Sequence, residues 1–352
     1  AQPSSASASR CPDVATRVCY TVISMRRQKS NLLDALDRGW DLLERGDASG
    51  ADRQARRALA SDRRCAEAHT LLGADRLAEG DAKGALKCFR QALALDGKDV
   101  VALLHTADAL IEPFEQYEEA VALCDRAIAV AIEPADRIDA LLLKVEALLA
   151  HEDEDAARQA LAALPPPPYP AADLHLRAGS AWFDLADLGA ARRELERSLA
   201  LDDALADAHH LLGLVHQQLG DQAAMVKSFT RTRALDLISG APPWGLTPRE
   251  FERTAERVLE ELPPGILKHL ANVPVIAADY PAIELVAEGS DPRMLGFFSG
   301  VPFPEHSNVG GDSPHLECIF LYQRNIERYA RSREETLDEI RTTVLHETGH
   351  FF

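Results

Sequence analysis

The sequence contains no uninterrupted apolar run approaching the eighteen or so residues that a membrane span needs, so a spanning helix is excluded. Nor does it carry an excess of positive charge: 38 Lys and Arg stand against 56 Asp and Glu, a formal charge of −18. Nonspecific attraction to nucleic acid or anionic lipid is therefore disfavoured, and neither nucleic acid nor membrane is expected as a partner. Basic peptides and cations remain open. The six cysteines lack the spacing of a disulfide framework. Cys65, Cys88 and Cys124 fall inside helical patterns, where a free cysteine acts as a small apolar residue, and a reduced, cytoplasmic state is expected. Residues 1–24 show no long apolar core or cleavage site, so they do not read as a signal peptide. The sequence has no initiator methionine and stops inside a motif, as a fragment does; residues 1–31 are expected to form a disordered leader.

What the sequence does contain is self-similarity. Gly39 and Gly73 are 34 residues apart, as are Gly179 and Gly213, and Ala107 fills the same slot 34 residues after Gly73. Ala51, Ala85, Ala191 and Met225 each follow by twelve residues, and Phe89, Leu195 and Phe229 come four further on. Gly46-Asp47, Gly80-Asp81 and Gly220-Asp221 recur as turns, with Gly accepting a left-handed backbone and Asp accepting from free helix N–H groups. The small residues let two helices of a hairpin approach closely, and the aromatic fills the gap beyond. This pattern resembles the tetratricopeptide repeat, with Ala66 to Gly97 the cleanest copy. Five or six units span residues 32–237, and Pro165 to Pro168 must interrupt the stack.

Stacked hairpins make a concave groove that binds a protein partner. Here the groove is expected to present Trp40, Leu104, Asp108, Phe183 and His210, with Leu36 and Asp207 at equivalent positions. No Lys or Asn cluster suited to an acidic peptide tail is present, so an apolar or basic segment fits better. The alternative is that these side chains pack against neighbouring parts of the same chain. Adjacent His209 and His210 point to different sides of a helix, and His216 lies six residues past His210, so they do not read as a metal site.

After Leu237 the pattern breaks into a turn-rich linker, 238–247. Thr247-Pro248 then opens an amphipathic helix to about Leu262, Val273 to Ala278 and Leu316 to Tyr322 read as strands, and a Gly/Pro-rich stretch from Gly289 to Pro314 joins them. A last helix begins near Ser332. It carries His346-Glu347-Thr348-Gly349-His350, whose spacing sets both imidazoles one turn apart on one face, able to bind one zinc ion. Zinc lowers the pKa of its water to about 7, and Glu347 is placed to accept the proton during attack on a carbonyl.

Residues 248–352 as a set resemble the bacterial zincin-like metallopeptidases of minimal zincin fold. The resemblance is carried by Val273-Pro274-Val275, by Gly296 to Pro302, by Ile319 to Glu327, and most closely by Arg341 to Glu347. It implies zinc as cofactor, His346 and His350 as ligands, Glu347 as catalytic base, and a strand ending near Tyr322 whose edge pairs with an extended peptide. A catalytic zinc needs three protein ligands. The third is expected beyond Phe352, with His306, His315, Glu305 and Asp312 as substitutes within the chain. The expected architecture is mainly α: a tetratricopeptide-type α-solenoid followed by a small α+β zincin-like domain. The expected function is hydrolysis of peptide bonds through a metal-activated water, with the repeats recruiting protein substrate or partner. The alternative is an interaction scaffold whose zincin-like domain is catalytically silent.

Overall fold

The computed structural model describes residues 30–112, 114–270, 273–299, 318–330 and 332–351. By its contacts the chain divides into two compact units, 1–165 and 166–352. No helix among the described residues is long and apolar enough to cross a membrane.

The first unit is a run of antiparallel helices: α1 (30–44), α2 (Ala48–Ser61), α3 (Ala66–Ala78), α4 (Ala82–Leu95), α5 (Val100–Ile111), α6 (Tyr117–Val130), α7 (Pro134–Ala150) and α8 (Glu154–Ala162). The turns form as their residues dictate. Gly46 and Gly80 take φ of 76° and 82°, and the Asp47 and Asp81 carboxylates each accept from a backbone N–H three residues on, at 2.8 Å. Such a cap contributes about 1 kcal/mol. Small residues sit where helices touch: a Cβ placed on Gly73 would lie 2.4 Å from the Phe89 ring. Phe89, Leu103, Ala107, Leu110, Ala120 and Cys124 join one buried core, and burial pushes the Cys124 thiol up to about 12. The described cysteines, Cys65, Cys88, Cys124 and Cys318, are free thiols.

The second unit begins with two more hairpins, α9 (Ala172–Asp184) with α10 (Leu188–Leu201) and α11 (Ala206–Leu219) with α12 (Gln222–Asp236). There follow α13 (Pro248–Glu260), α14 (Pro264–Leu270), β1 (Val275–Ala278), α15 (Ile283–Glu288), β2 (Gly296–Ser299), β3 (Cys318–Tyr322), α16 (Gln323–Tyr329) and α17 (Arg333–Phe351). Thr247 caps α13 as expected and shares a reciprocal capping box with Glu250. Sheet order is β1-β3-β2, with β1 parallel to β3 (Val275 opposite Ile319) and β2 antiparallel to it (Phe297 opposite Phe320). Helices α13 and α17 cover the sheet through a core of Phe251, Ala255, Val258, Ile319, Leu321, Ile340 and Val344.

Two expectations are corrected here. The stretch read as a Gly/Pro-rich connection contains β2. Moreover, β3 is paired on both sides, so the strand ending at Tyr322 offers no edge to a peptide; among the described residues the outer strands are β1 and β2. Segment 238–247, read as a turn-rich linker, is held at its end: Leu246 N–H donates to Glu327 Oε1 at 2.8 Å and Trp244 Nε1–H to the Glu327 carbonyl at 3.0 Å.

Candidate functional site

Helix α17 sets the site by which of its residues it buries. Ile340 and Val344 are buried in the sheet core, which turns Glu347 toward β2 and leaves His346 and His350 exposed on the adjoining face. Their Nε2 atoms lie 3.1 Å apart, with the rings edge to face. Two imidazole nitrogens bound to one tetrahedral zinc at about 2.0–2.1 Å stand about 3.3 Å apart, so this pair fits one such ion. Among the described residues no third His, Cys, Asp or Glu joins them. His306, His315, Glu305 and Asp312 lie outside the described residues.

Glu347 is only 6% exposed. Burial raises its carboxyl above the ordinary range, while His350, His346 and the donating Phe298 N–H oppose that rise. Just before β2 the Leu295 carbonyl accepts from Tyr322 N–H at 2.9 Å, so by alternation the Phe298 N–H faces away from β3 and toward Glu347. Gly296, two residues earlier on that side, admits the helix: a Cβ there would fall 2.6 Å from Glu347 Cγ. Burial, Glu347 and Cys318 together push the nearby Tyr322 phenol up to about 12. A cavity of about 670 Å³ opens here, with residues 294–298 as one wall and Glu339, Thr343, His346, Glu347 and His350 on the other. Sequence reasoning missed Gly296, Phe298, Glu339 and Thr343. The run Gly296 to Gly300 carried a signal only as part of a family pattern, without showing that it pairs as a strand.

Residues 270–352 match the zincin-like metallopeptidase family. The zincin-like segment thus contains β1, β2, β3 and α17, and with them the whole cavity. For the helical part, PilF of Pseudomonas aeruginosa is 19% identical, with 60% of this chain and 95% of that one covered at a TM-score of 0.50. PilW, a type IV pilus biogenesis factor, is 19% identical over 59% of this chain and 94% of that one, at a TM-score of 0.48. No curated protein matches the sequence significantly. At such identity the PilF likeness shows fold alone, and with the 34-residue period it gives a tetratricopeptide-type solenoid preceding the zincin-like segment.

The groove residues are placed less uniformly. Trp40 and Leu104 are half-buried against the first unit's core, and Trp40 stacks near His105 at 6.1 Å. Asp108 is exposed, whereas Leu36 is buried. Phe183 packs against the buried cluster that contains Leu195 and Leu212. His210 stacks on Phe229 and donates from Nε2 to Asp291 Oδ1 at 2.9 Å, and Asp207 meets Arg293 at 2.7 Å. Those two serve packing within the second unit, the alternative the sequence left open. His209 and His216 both border a separate cavity of about 600 Å³ between α10, α11 and α12.

Proposed function

We propose that the chain is a zinc-dependent peptidase in which His346 and His350 are two of the metal ligands and Glu347 moves the proton. The repeats hold a protein substrate or partner. What carries this reading is the convergence of two Nε2 atoms, 3.1 Å apart, beside a buried carboxylate in one cavity. Bound zinc supplies a Lewis acid, which polarises a carbonyl and makes water acidic near neutral pH. The rest comes from the chain. The Glu347 carboxylate accepts a proton from the attacking water and returns it to the amide nitrogen as the C–N bond breaks. Phe298 N–H orients that carboxylate. Outer strand β2, rather than β3, offers main-chain groups with which an extended peptide can pair. The free thiols support a reducing, cytoplasmic setting.

Zinc content by elemental analysis, together with peptide-library hydrolysis with and without chelator, tests the proposal. Expected are about one zinc per chain and chelator-sensitive cleavage. Glu347→Gln should keep the zinc and lose a factor of about 10²–10⁴ in rate, and His346→Ala should lose the metal. A second reading is an interaction scaffold with a silent domain, in which the repeats alone carry the function, as helical solenoids do. That reading prevails if the chain holds no zinc, cleaves nothing, and binds its partner equally well with Glu347→Gln.

A further inference from the structure

The cavity beside the His346–His350 turn continues toward the N-terminal end of α17. Glu339 lines it, half-buried, seven residues before His346 and so about 10 Å away along the helix axis. Thr343 stands between them on the same face, four residues after Glu339. It is 4% exposed, and its Oγ1 has no hydrogen-bond partner. That contrasts with Thr342, whose hydroxyl donates to the Asp338 carbonyl at 3.1 Å. A buried hydroxyl without a partner is costly, which makes a ligand able to satisfy it favourable.

The cations closest in sequence are committed elsewhere. Arg341 pairs with Glu261 at 2.6 Å and Arg333 with Glu250 at 2.8 Å, and no ion pair reaches Glu339 among the described residues. The facing wall, residues 294–298, presents Met294, Leu295, Phe297 and Phe298 and no charge. Apolar walls with a carboxylate and a buried, unpartnered hydroxyl match a side chain that has a long aliphatic stem and a cationic head. An acidic side chain would meet Glu339 and Glu347 and be repelled.

We propose that Glu339 and Thr343 form a subsite that selects a lysine or arginine side chain of a peptide laid in this cavity. The subsite's place next to a scissile bond rests on the peptidase reading; its binding chemistry does not. The Glu339 carboxylate accepts one or two N–H donors of the cation, and Thr343 Oγ1 accepts another. The guanidinium, with five donors in a fixed fork, satisfies both acceptors at once, so arginine binds at least as well as lysine. A metal at the two histidines would repel the cation from the Glu347 end and leave it at Glu339.

The test is binding, measured by calorimetry on the full chain carrying Glu347→Gln so that no turnover intervenes. The probes are Ac-Ala-Ala-Ala-Xaa-Ala-Ala-amide peptides with Xaa as lysine, arginine, norleucine or glutamate. Lysine and arginine peptides are expected to bind about tenfold tighter than norleucine, which has the same stem without the charge. Adding Glu339→Gln should remove that advantage and leave norleucine binding unchanged. Thr343→Val, close in shape and free of the unpartnered hydroxyl, should reduce the advantage about two- to threefold. Equal binding of lysine and norleucine, an advantage that survives Glu339→Gln, or no binding of any peptide would each overturn the subsite. Loss of hydrolysis alone, with the charge preference intact, would overturn only the peptidase reading.

Discussion

Asp75 shows what a single charge in the wrong medium does. It sits in α3 at 2% exposure, and its Oδ1 has no hydrogen-bond partner. Burial, with Glu79 and Asp52 adding like charge, pushes its carboxyl up to about 6, against the lesser pull of Arg56 and Arg76. A folded-state pKa above the unfolded value means that the folded chain holds the proton more tightly. The stabilisation from that proton is complete below about pH 4 and is lost as pH rises through about 6. Asn at this position mimics the protonated acid at every pH. Asp75→Asn is therefore expected to stabilise the chain by about 1–2 kcal/mol near pH 7.5 and to change little near pH 4. Urea denaturation of parent and variant at both pH values checks it; an equal difference at the two would refute the burial argument. Gly296 makes a parallel point by sterics, since the absence of one methyl lets Glu347 reach the Phe298 N–H.

At the scale of elements, the loop that leads into β2 is held by a repeat helix. Asp236, the last residue of α12, is fully buried and receives Arg293 through Nε at 3.0 Å and a terminal nitrogen at 3.1 Å. Arg328 adds a third contact at 2.7 Å. Asn325 Nδ2 donates to the Pro292 and Met294 carbonyls, both at 2.8 Å, fixing the same loop from α16. Removing the buried carboxylate takes from Arg293 and Arg328 their shared buried partner, so Asp236→Ala is expected to cost about 3–5 kcal/mol. Asp207, whose side chain is 66% exposed, also pairs with Arg293 at 2.7 Å. Asp207→Ala should cost less than about 1 kcal/mol, because solvent screens that pair. Similar losses for the two variants by thermal or urea unfolding would show that burial is not what gives the contact its weight.

The same elements show how far the sequence could be read. The hairpins were legible because their determinants are local and repeated: Gly80-Asp81 turns and caps within five residues, and Gly73 meets Phe89 inside one hairpin. The His346–Glu347–His350 turn was legible because helix geometry alone brings residues four apart together. β2 was not, since a four-residue strand that opens on a glycine has too little periodicity, and its strand state depends on pairing with Cys318 to Leu321 some twenty residues away. That β3 is central rather than at an edge follows from the same long-range pairing. Asp207 and His210 read as groove residues because their helical face is correct; what covers that face, Asp291 and Arg293, comes from more than 80 positions on.

For the whole molecule, the point at which contacts thin out differs from the point at which the sequence pattern changes. The repeat period ends near Leu237, yet the compact units meet between Pro165 and Pro166. The second unit keeps two hairpins with the zincin-like segment, tied by Asp236 with Arg293 and Arg328, by Tyr280 Oη–H to the Asp236 carbonyl at 2.8 Å, and by Arg233 Nε–H to the Pro281 carbonyl. Val286 adds an apolar tie, buried against Met225 and Phe229. A fragment of residues 166–352 retains all of these contacts. One of residues 238–352 leaves Arg293 and Arg328 without their buried partner and exposes Val286. The longer fragment is expected to unfold cooperatively, with near-UV circular dichroism showing fixed aromatic packing. The shorter should melt at least about 10 °C lower or lose cooperativity, in line with a loss of several kcal/mol from a domain of this size. Equal melting of the two would mean that the zincin-like segment stands without the last repeats, and that the Asp236 cluster fastens two independent bodies instead of completing one.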